Sequence, residues 1–423
     1  MSAMAVTAVC PMKPSDFVHN SAEVMECPFP FYEALRQNAP VYKDPQAGYY
    51  IVSTYPLVSK VVRSHDIFSS DVLDISPLPP KLREVFVPVK SLLLVDQPVH
   101  TRHKTLVNKA LSPSRVKNLR GYIETLVNDL IDKFIDRGNV DFFEEFAMPL
   151  PLAVIADQLG VPRSYGAKFR EWSDAMVVPM APSATYEERE ALVPILAEMN
   201  EFFGKIFMEK RENPTDDIIS SLATIEVEPL DTDPPGTEPR LLTLVEGQTI
   251  IQLLMVAGNE SSTAALCAFV EKLIEDPALA DRLRADPALV RPAVDEILRL
   301  ESPLQGFWRI ATQDTELDGV EIPKGSLIFA CYASANRDDE QFSDPGQIDL
   351  DRKNLNSNMV FGAGIHFCSG ANLARAELEI AIAALLRRMD NIRFTPGKEE
   401  LSHFPTTLVR GLTGLHISFD KIA

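Results

Sequence analysis

The sequence predicts a mainly α-helical protein that also contains a few short strands. Apolar residues recur at helical spacing in successive segments of residues 120–222, with breaks at Gly138, 160–162 and 213–214. Residues 242–274 carry a longer and mostly apolar helical pattern, which is typical of a buried central helix. Strand patterns are short and lie beside turn residues, at 41–42, 49–52, 320–323 and 326–330.

Length and charge limit the possible functions. The chain has 423 residues, more than most single cores contain, yet no change of composition divides it. We therefore expect a mobile N-terminal segment at residues 1–27 and a single domain at 28–423. The formal net charge of −19 argues against general binding of nucleic acid or anionic membranes. Because no fully apolar run of about 18 residues occurs, we expect no membrane anchor. We also expect a monomer.

The five cysteines are odd in number and scattered, without a C-x-x-C pair. This pattern fits a reducing compartment, so we expect a cytoplasmic protein without a disulfide framework or zinc cluster. Cys368 differs from the others because it lies between a glycine-rich approach and a helical pattern, in the stretch F-G-A-G-I-H-F-C-S-G-A-N-L-A-R-A-E. Amide N–H groups at a helix start stabilise an anion, so we expect this thiol to ionise easily.

Cys368 could be a nucleophile, a structural cysteine or a metal ligand. A nucleophile needs a base within hydrogen-bonding reach, whereas the neighbours in sequence are Phe361, two glycines and His366. Such residues shield the sulfur, bend the chain and donate hydrogen bonds. They suit a thiolate that ligates haem iron.

This stretch resembles the signature of the cytochrome P450 haem-thiolate monooxygenases, F-G-x-G-x-H-x-C-x-G-x-x-L-A-R-x-E, at every specified position. The resemblance extends from about residue 28 onward. It implies a mainly α fold with a small β-rich lobe and haem b (iron protoporphyrin IX) between the long central helix and the helix after the cysteine. It also implies that Cys368 ligates the iron and that Phe361, Gly362 and Gly370 contact the cofactor.

The middle of the central helix reads A-G-N-E-S-S-T at residues 257–263. The small Ala257 and Gly258 would leave room for O2 above a haem, and the carboxyl of Glu260 beside the hydroxyl of Ser261 could relay protons to it. The corresponding family pattern is A-G-x-[D/E]-T, so Ser261 stands where threonine is usual. The alternative is structural: the serines bond to carbonyls four residues earlier, and Glu260 pairs with a surface arginine.

Residues 97–123 carry several basic residues and no acid, which is unusual in so acidic a chain. The run is either a solvated helix face or a docking patch for an acidic partner. In the resembling family this helix receives electrons, which implies docking of a [2Fe-2S] ferredoxin, with its NAD(P)H-dependent reductase, on residues 102–120. The resemblance also places four residues on the haem propionates: His100, Lys104, Arg309 and His366. Position 104 is usually arginine, so the Lys104 contact departs from the pattern.

The remaining motifs concern the support of the cysteine loop and the substrate. Glu296, Arg299 and Arg352 resemble the buried E-x-x-R triad of the family, which is structural. The resemblance implies a substrate pocket, and its expected residues are Leu78, Val87, Met176, Val177, Leu254, Leu304, Gln305, Phe307 and Thr406. They are chiefly apolar, and no arginine is placed for a carboxylate. A terpenoid, steroid or neutral aromatic substrate therefore fits better than an acid.

The implied reaction is insertion of one atom of O2 by hydroxylation, epoxidation or dealkylation, with electrons from a separate protein. Two other functions remain open. A peroxygenase would use H2O2 directly and would not need an acid–alcohol pair, and a non-catalytic haem or gas-binding protein would gain nothing from the polar break in the central helix.

Overall fold

The computed structural model describes residues 12–72, 79–86, 90–177 and 185–422, and it confirms a mainly α fold with a smaller β-rich lobe. The helices are α1 Ala22–Glu26, α2 Phe29–Asn38, α3 Tyr55–Arg63, α4 Pro80–Phe86, α5 Val99–Ala110, α6 Pro113–Asp132, α7 Pro149–Leu159, α8 Gly166–Val177, α9 Tyr186–Ala191, α10 Val193–Glu212, α11 Ile218–Thr224, α12 Leu244–Ala257, α13 Glu260–Glu275, α14 Pro277–Ala285, α15 Val290–Glu301, α16 Tyr332–Ala335 and α17 Ala371–Arg388.

The strands are short and assemble mainly into two sheets. They are β1 Val41–Lys43, β2 Tyr50–Val52, β3 Phe68–Ser69, β4 Asn139–Asp141, β5 Glu226–Val227, β6 Arg240–Leu241, β7 Phe307–Ala311, β8 Thr315–Leu317, β9 Val320–Ile322, β10 Leu327–Ala330, β11 Met389–Phe394 and β12 His416–Lys421. The larger sheet has the order β1-β2-β10-β7-β3, in which only β2 and β10 run parallel. A second sheet joins β11, β12 and β4.

The predicted central helix forms as two helices in line, α12 and α13. The first ends at Ala257 because Gly258 and the polar residues after it support a helix poorly, and the Asn259 N–H bonds instead to the carbonyl of Val256, at 3.2 Å. By length and composition alone, Leu244–Glu275 could cross a membrane, but 67% of its most apolar window is buried inside the protein. It is therefore the core helix that the sequence predicted.

Helices and sheet bury separate cores. The largest apolar cluster lies among the helices and the second sheet, whereas the five-stranded sheet packs on α2, α3 and α16. The domain boundary at residue 28 stays a prediction. From residue 12 onward the N-terminal segment contacts the sheet, since the buried His19 shares a hydrogen bond of 2.7 Å with the Tyr49 hydroxyl.

A buried ion network fastens α15 to the chain that leads into the cysteine loop. Glu296 and Arg299 are fully buried, and their side chains form two hydrogen bonds of 2.8 and 2.9 Å. Arg352 donates to the same carboxylate at 2.9 Å and to the carbonyl of Ser343 at 2.7 Å. Arg299 also donates to the carbonyl of Asn336 at 2.7 Å. The structure thus confirms the predicted arrangement of Glu296, Arg299 and Arg352.

Substitution Arg299→Leu should lower the free energy of unfolding by about 3–5 kcal/mol, because the Glu296 carboxylate stays buried with less compensation. Chemical denaturation followed by circular dichroism measures this. The matched control is Arg393→Leu, which removes an exposed arginine 3.4 Å from Asp420 and should change the unfolding midpoint little. Equal effects of the two substitutions would contradict a bracing role for the network.

Candidate active site

The cysteine loop, residues 359–370, is folded tightly against α3. Gly362 and Gly364 both have φ of +68°, a conformation that side chains disfavour. A Cβ at Gly364 would lie 2.9 Å from the carbonyl oxygen of Val62, so this approach requires glycine. The N–H of Cys368 donates to the carbonyl of Phe361 at 2.8 Å, which closes the loop just before α17 begins.

Two opposing influences act on the Cys368 thiol. Although one side of Cys368 is exposed, desolvation by the surrounding protein raises the pKa of its thiol above the ordinary value. This effect outweighs the N–H groups of Gly370 and Ala371 and the charges of Lys104 and Arg375, which lower the pKa. The expectation that this thiol ionises easily is therefore wrong for the free side chain, although the expected N–H donors are in place. A metal cation would supply the missing charge, since a coordinating thiol is deprotonated outright.

Basic side chains from three elements meet beside the cysteine. The rings of His100 and His366 lie 4.2 Å apart, and His366 Nε2 is 2.8 Å from the hydroxyl of Ser70. Burial and the charges of Arg309 and Lys104 lower the pKa of His366 to about 3, and burial and Lys104 lower that of His100 to about 4. The structure therefore brings together all four residues that the sequence assigned to the propionates.

This cluster has the chemistry of an anion site. His100 Nε2 is buried without a hydrogen-bond partner in the structure, so a donor is available to an acidic ligand. Lys104 donates to the carbonyl of Phe367, and Arg309 donates to the carbonyl of Trp308 at 2.7 Å. The residues present thus fit a cofactor that carries carboxylates and an iron above Cys368.

Of the two contacts that the structural alternative expects at the central-helix break, the serine back-bond is present and the Glu260–arginine pair is not found among the described residues. The Ser261 hydroxyl donates to the carbonyl of Ala257 at 3.0 Å, as a back-bonded serine does. Glu260, however, forms no ion pair with an arginine in the described part of the chain. Burial raises its pKa, and the charge of Asp174 raises it further. Ala257 is exposed and Gly258 half-buried.

Comparison with known proteins shows the family of this chain. The sequence model described as Cytochrome P450 matches residues 175–411. The chain belongs to the cytochrome P450 family. It is 33% identical over 390 residues to the steroid C26-monooxygenase of Mycobacterium tuberculosis H37Rv, covering 92% of each protein.

Two solved P450 structures share the fold. CYP109Q5 from Chondromyces apiculatus superposes with a TM-score of 0.84 at 30% identity and covers 95% of this chain and 98% of its own. CYP109E1 from Bacillus megaterium, solved in complex with corticosterone, has a TM-score of 0.80 at 34% identity and covers 94% of this chain and 99% of its own. The protein is accordingly a P450 monooxygenase whose cofactor is haem b.

The substrate residues that the sequence predicted do not all meet in one place. Leu304 pairs with Val409 in an isolated bridge, and Gln305 and Thr406 line one small cavity together with Tyr32 and Arg410. Phe307 begins β7, whereas Met176 and Leu254 belong to the helical core. Leu78, Val87 and the side chain of Val177 lie outside the described residues. Among the described candidates, Leu304, Gln305, Phe307 and Thr406 therefore lie on the β-rich side of the P450, and Met176 and Leu254 lie among the helices.

Gln305 is less available than we expected. Its side-chain nitrogen donates to the carbonyls of Glu301 and Ser302, at 3.2 and 2.6 Å, and only its oxygen has no partner in the structure. The side chain is 2% exposed, so the amide chiefly fixes the turn after α15.

Glu377 joins the two helices that flank the site, and the sequence analysis gave it no role although it is the last residue of the matched signature. Its carboxyl is buried on α17 and hydrogen-bonds to Ser262 of α13, and burial raises its pKa to about 8. The signal was present, because the residues one helical turn from Glu377 on the same face, Leu373, Ile380 and Ala381, are apolar. A carboxylic acid at a core position is a departure that a search for buried polar residues would find.

This carboxyl should make stability fall as pH rises. A carboxyl whose pKa is raised on folding contributes fully below its unfolded value, near 4.5, and the contribution is lost as pH rises through about 8. In the wild type the free energy of unfolding should decrease between these two pH values by on the order of a few kcal/mol because of this carboxyl. Glu377→Gln should remove that decrease. Urea denaturation at several pH values measures it. Glu275→Gln, which removes a half-exposed acid on α13, should keep the wild-type slope, and an unchanged slope in Glu377→Gln would refute the assignment.

Proposed function

We propose that this P450 inserts one atom of O2 into a neutral hydrophobic molecule of terpenoid, steroid or aromatic type, with electrons from a separate ferredoxin. The observation that carries the proposal is the Cys368 sulfur, which lies before α17 beneath two N–H donors and beside an anion-binding cluster. Bound haem would supply O2 activation and electron transfer. We propose a cytoplasmic location for the enzyme.

The side chains of this chain would divide the work by position. Cys368 holds the iron, and the cluster of His100, Lys104, Arg309 and His366 holds the carboxylates of the cofactor. Glu260 lacks a cationic partner among the described residues, and burial raises its pKa, which makes its carboxyl hold a proton more readily than an exposed glutamate does. The Ser261 hydroxyl, which donates to Ala257, can still accept a hydrogen bond from that carboxyl or from water.

The substrate class rests on the apolar character of the candidate residues and on similar proteins. One relative is described as a steroid C26-monooxygenase, and one similar structure contains corticosterone. Both support a neutral, rigid, largely apolar substrate for this enzyme. A diverse hydrophobic library ranked by shifts of the Soret band would identify its ligands.

Reduced protein exposed to carbon monoxide should show the strongly red-shifted absorption of a thiolate adduct, because sulfur donates electron density to the iron. Cys368→Ala should abolish that band, whereas Cys331→Ala, at a buried cysteine of the β-rich lobe, should retain it. Persistence of the band in Cys368→Ala would refute the ligand assignment. Turnover with H2O2 but none with a ferredoxin system would favour a peroxygenase instead.

The structure narrows the predicted docking patch. Arg102 donates to the carbonyl of Glu228 at 2.6 Å and lies 3.8 Å from Glu246. Arg115 lies 3.7 Å from Asp216, and Arg120 lies 3.2 Å from Glu379. Half of the six basic residues in 102–120 are therefore neutralised within the chain, which supports the solvated-face alternative for these three.

The remaining part still suits an acidic partner. Lys109 and Lys117 are exposed and form no ion pair in the described part of the chain. Phe367 is 46% exposed directly beside Cys368, and Lys104 holds its carbonyl. We propose that the ferredoxin docks on a docking face that begins at Phe367 and Lys104 and extends across the exposed side of α5 to Lys109, so that an apolar anchor lies beside positive charge.

Lys109→Glu should slow reduction by an acidic ferredoxin several-fold at low ionic strength, because like charges oppose encounter, and the difference should shrink with added salt. Stopped-flow reduction of the carbon monoxide complex measures the rate. Lys205→Glu on α10 reverses an equally exposed charge away from the docking face and should leave the rate unchanged. If both substitutions slow reduction equally, net charge rather than the docking face controls encounter.

A further inference from the structure

A hydrogen bond joins the central-helix break to α8. The side-chain nitrogen of Asn259 donates to the hydroxyl of Ser173 at 3.2 Å, and these two residues are 1% and 0% exposed. Trp172, on the same helix, is also buried. Because Asn259 and Ser173 are in contact, Glu260 and Asp174 each lie one residue away from this contact between the helix break and α8.

Glu260 and Asp174 form a pair of carboxyls at this interface. Glu260 is half-buried, and Asp174 is the charged group that acts on it. The pKa of Asp174 is itself raised, by burial and by Glu144, against the lowering effect of Arg170. Two neighbouring carboxyls with raised pKa values can exchange a proton at lower cost than carboxylates fixed in strong ion pairs.

The charges around Asp174 leave it free to exchange protons with water. Arg170 forms a bidentate pair with Glu144, at 2.8 and 3.0 Å, and lies 3.8 Å from Asp174. The guanidinium is therefore committed to Glu144, and its contact with Asp174 is long. The Asp174 side chain is 57% exposed, whereas Glu260 lies deeper, so the two carboxyls form a step from solvent toward the helix break.

We propose that Asp174 is the positioning residue of a proton-uptake route, in which it takes a proton from water and passes it to Glu260 beside the Ser261 hydroxyl. This inference rests on the proposed monooxygenase function and adds a residue outside the acid–alcohol pair. Each transfer breaks one O–H bond and forms another, with water carrying the proton between the two carboxyls. The negative charge moves outward from Glu260 to Asp174 and then to solvent, and no electrons move.

The structural alternative is that Asp174 only pairs with Arg170 on the surface. That pair is long and exposed, so it contributes little to stability, and replacing Asp174 should leave the fold intact. Asp174→Asn is nearly isosteric and removes the exchangeable proton. Glu171→Gln is the matched control, because Glu171 is an exposed acid on the same helix that pairs with Lys168 at 2.9 Å.

Infrared difference titration of the ferric protein gives a readout independent of turnover. The protonated carboxyl band of Glu260 is assigned by its loss in Glu260→Gln. Removing the negative charge of Asp174 should shift the midpoint of this band to lower pH, while Glu171→Gln should leave it in place. An unchanged midpoint in Asp174→Asn would overturn the proposal.

Turnover tests the transfer itself. In Asp174→Asn the peroxide released per NAD(P)H consumed should rise several-fold, with a larger solvent isotope effect and a pH profile shifted relative to Glu171→Gln. A lowered midpoint without a change in peroxide release would show electrostatic coupling without transfer, and it would also overturn the proposal. If the wild type lacks the thiolate band with carbon monoxide, the proposed function fails. If the wild type shows that band and releases little peroxide, and Asp174→Asn releases no more, only the proton route is refuted.

Discussion

The position of one sulfur atom at the start of α17 is the constraint on which the site depends. Desolvation of the Cys368 thiol disfavours its ionisation, and two N–H groups and nearby cations do not reverse that preference, while the residue keeps an exposed side that a ligand can reach. The preference reverses when a metal ion supplies positive charge at the sulfur itself. The same surroundings thus disfavour a free nucleophile and favour a ligand, which is why the loop is rich in glycine and backbone donors and lacks a general base next to the cysteine.

Holding that sulfur requires support from distant parts of the chain. The fully buried pair of Glu296 and Arg299 recruits Arg352 and several carbonyls of residues 336–347, so α15 and the segment before the loop move as a unit. On the other side, Glu377 and Ser262 join α17 to α13. The cysteine helix is therefore joined to the central helix by a hydrogen bond between Glu377 and Ser262, and the segment before the cysteine loop is held to α15 by an ionic network.

The sequence predicted the features that depend on local chemistry. The glycines before Cys368, the hairpin of β1 and β2, and the spacing of Glu296 and Arg299 each involve residues close in the chain, where spacing alone indicates the geometry. The confirmed meeting of His100 with His366 came from resemblance to a family, since nothing local joins residues so far apart. The sequence showed a polar insertion at Gly258, but it did not predict that the central helix would divide into α12 and α13 there.

What could not be predicted depends on partners distant in sequence. Arg102 appears within a basic run, and its pairing with Asp233 and Glu246 is set by a fold that brings residues 131 positions apart together. Glu377 became buried because α17 packs on α13, and its pKa follows from that packing.

The close approach of Gly364 to Val62 has a mechanical consequence. The cysteine loop contacts the backbone of α3 directly, and α3 packs on the five-stranded sheet. The position of the loop therefore depends on the position of that sheet. Displacement of the sheet would tilt the seat of the iron ligand without any helix of the other lobe needing to shift. The β-rich lobe thus sets the position of the cysteine that would ligate the iron.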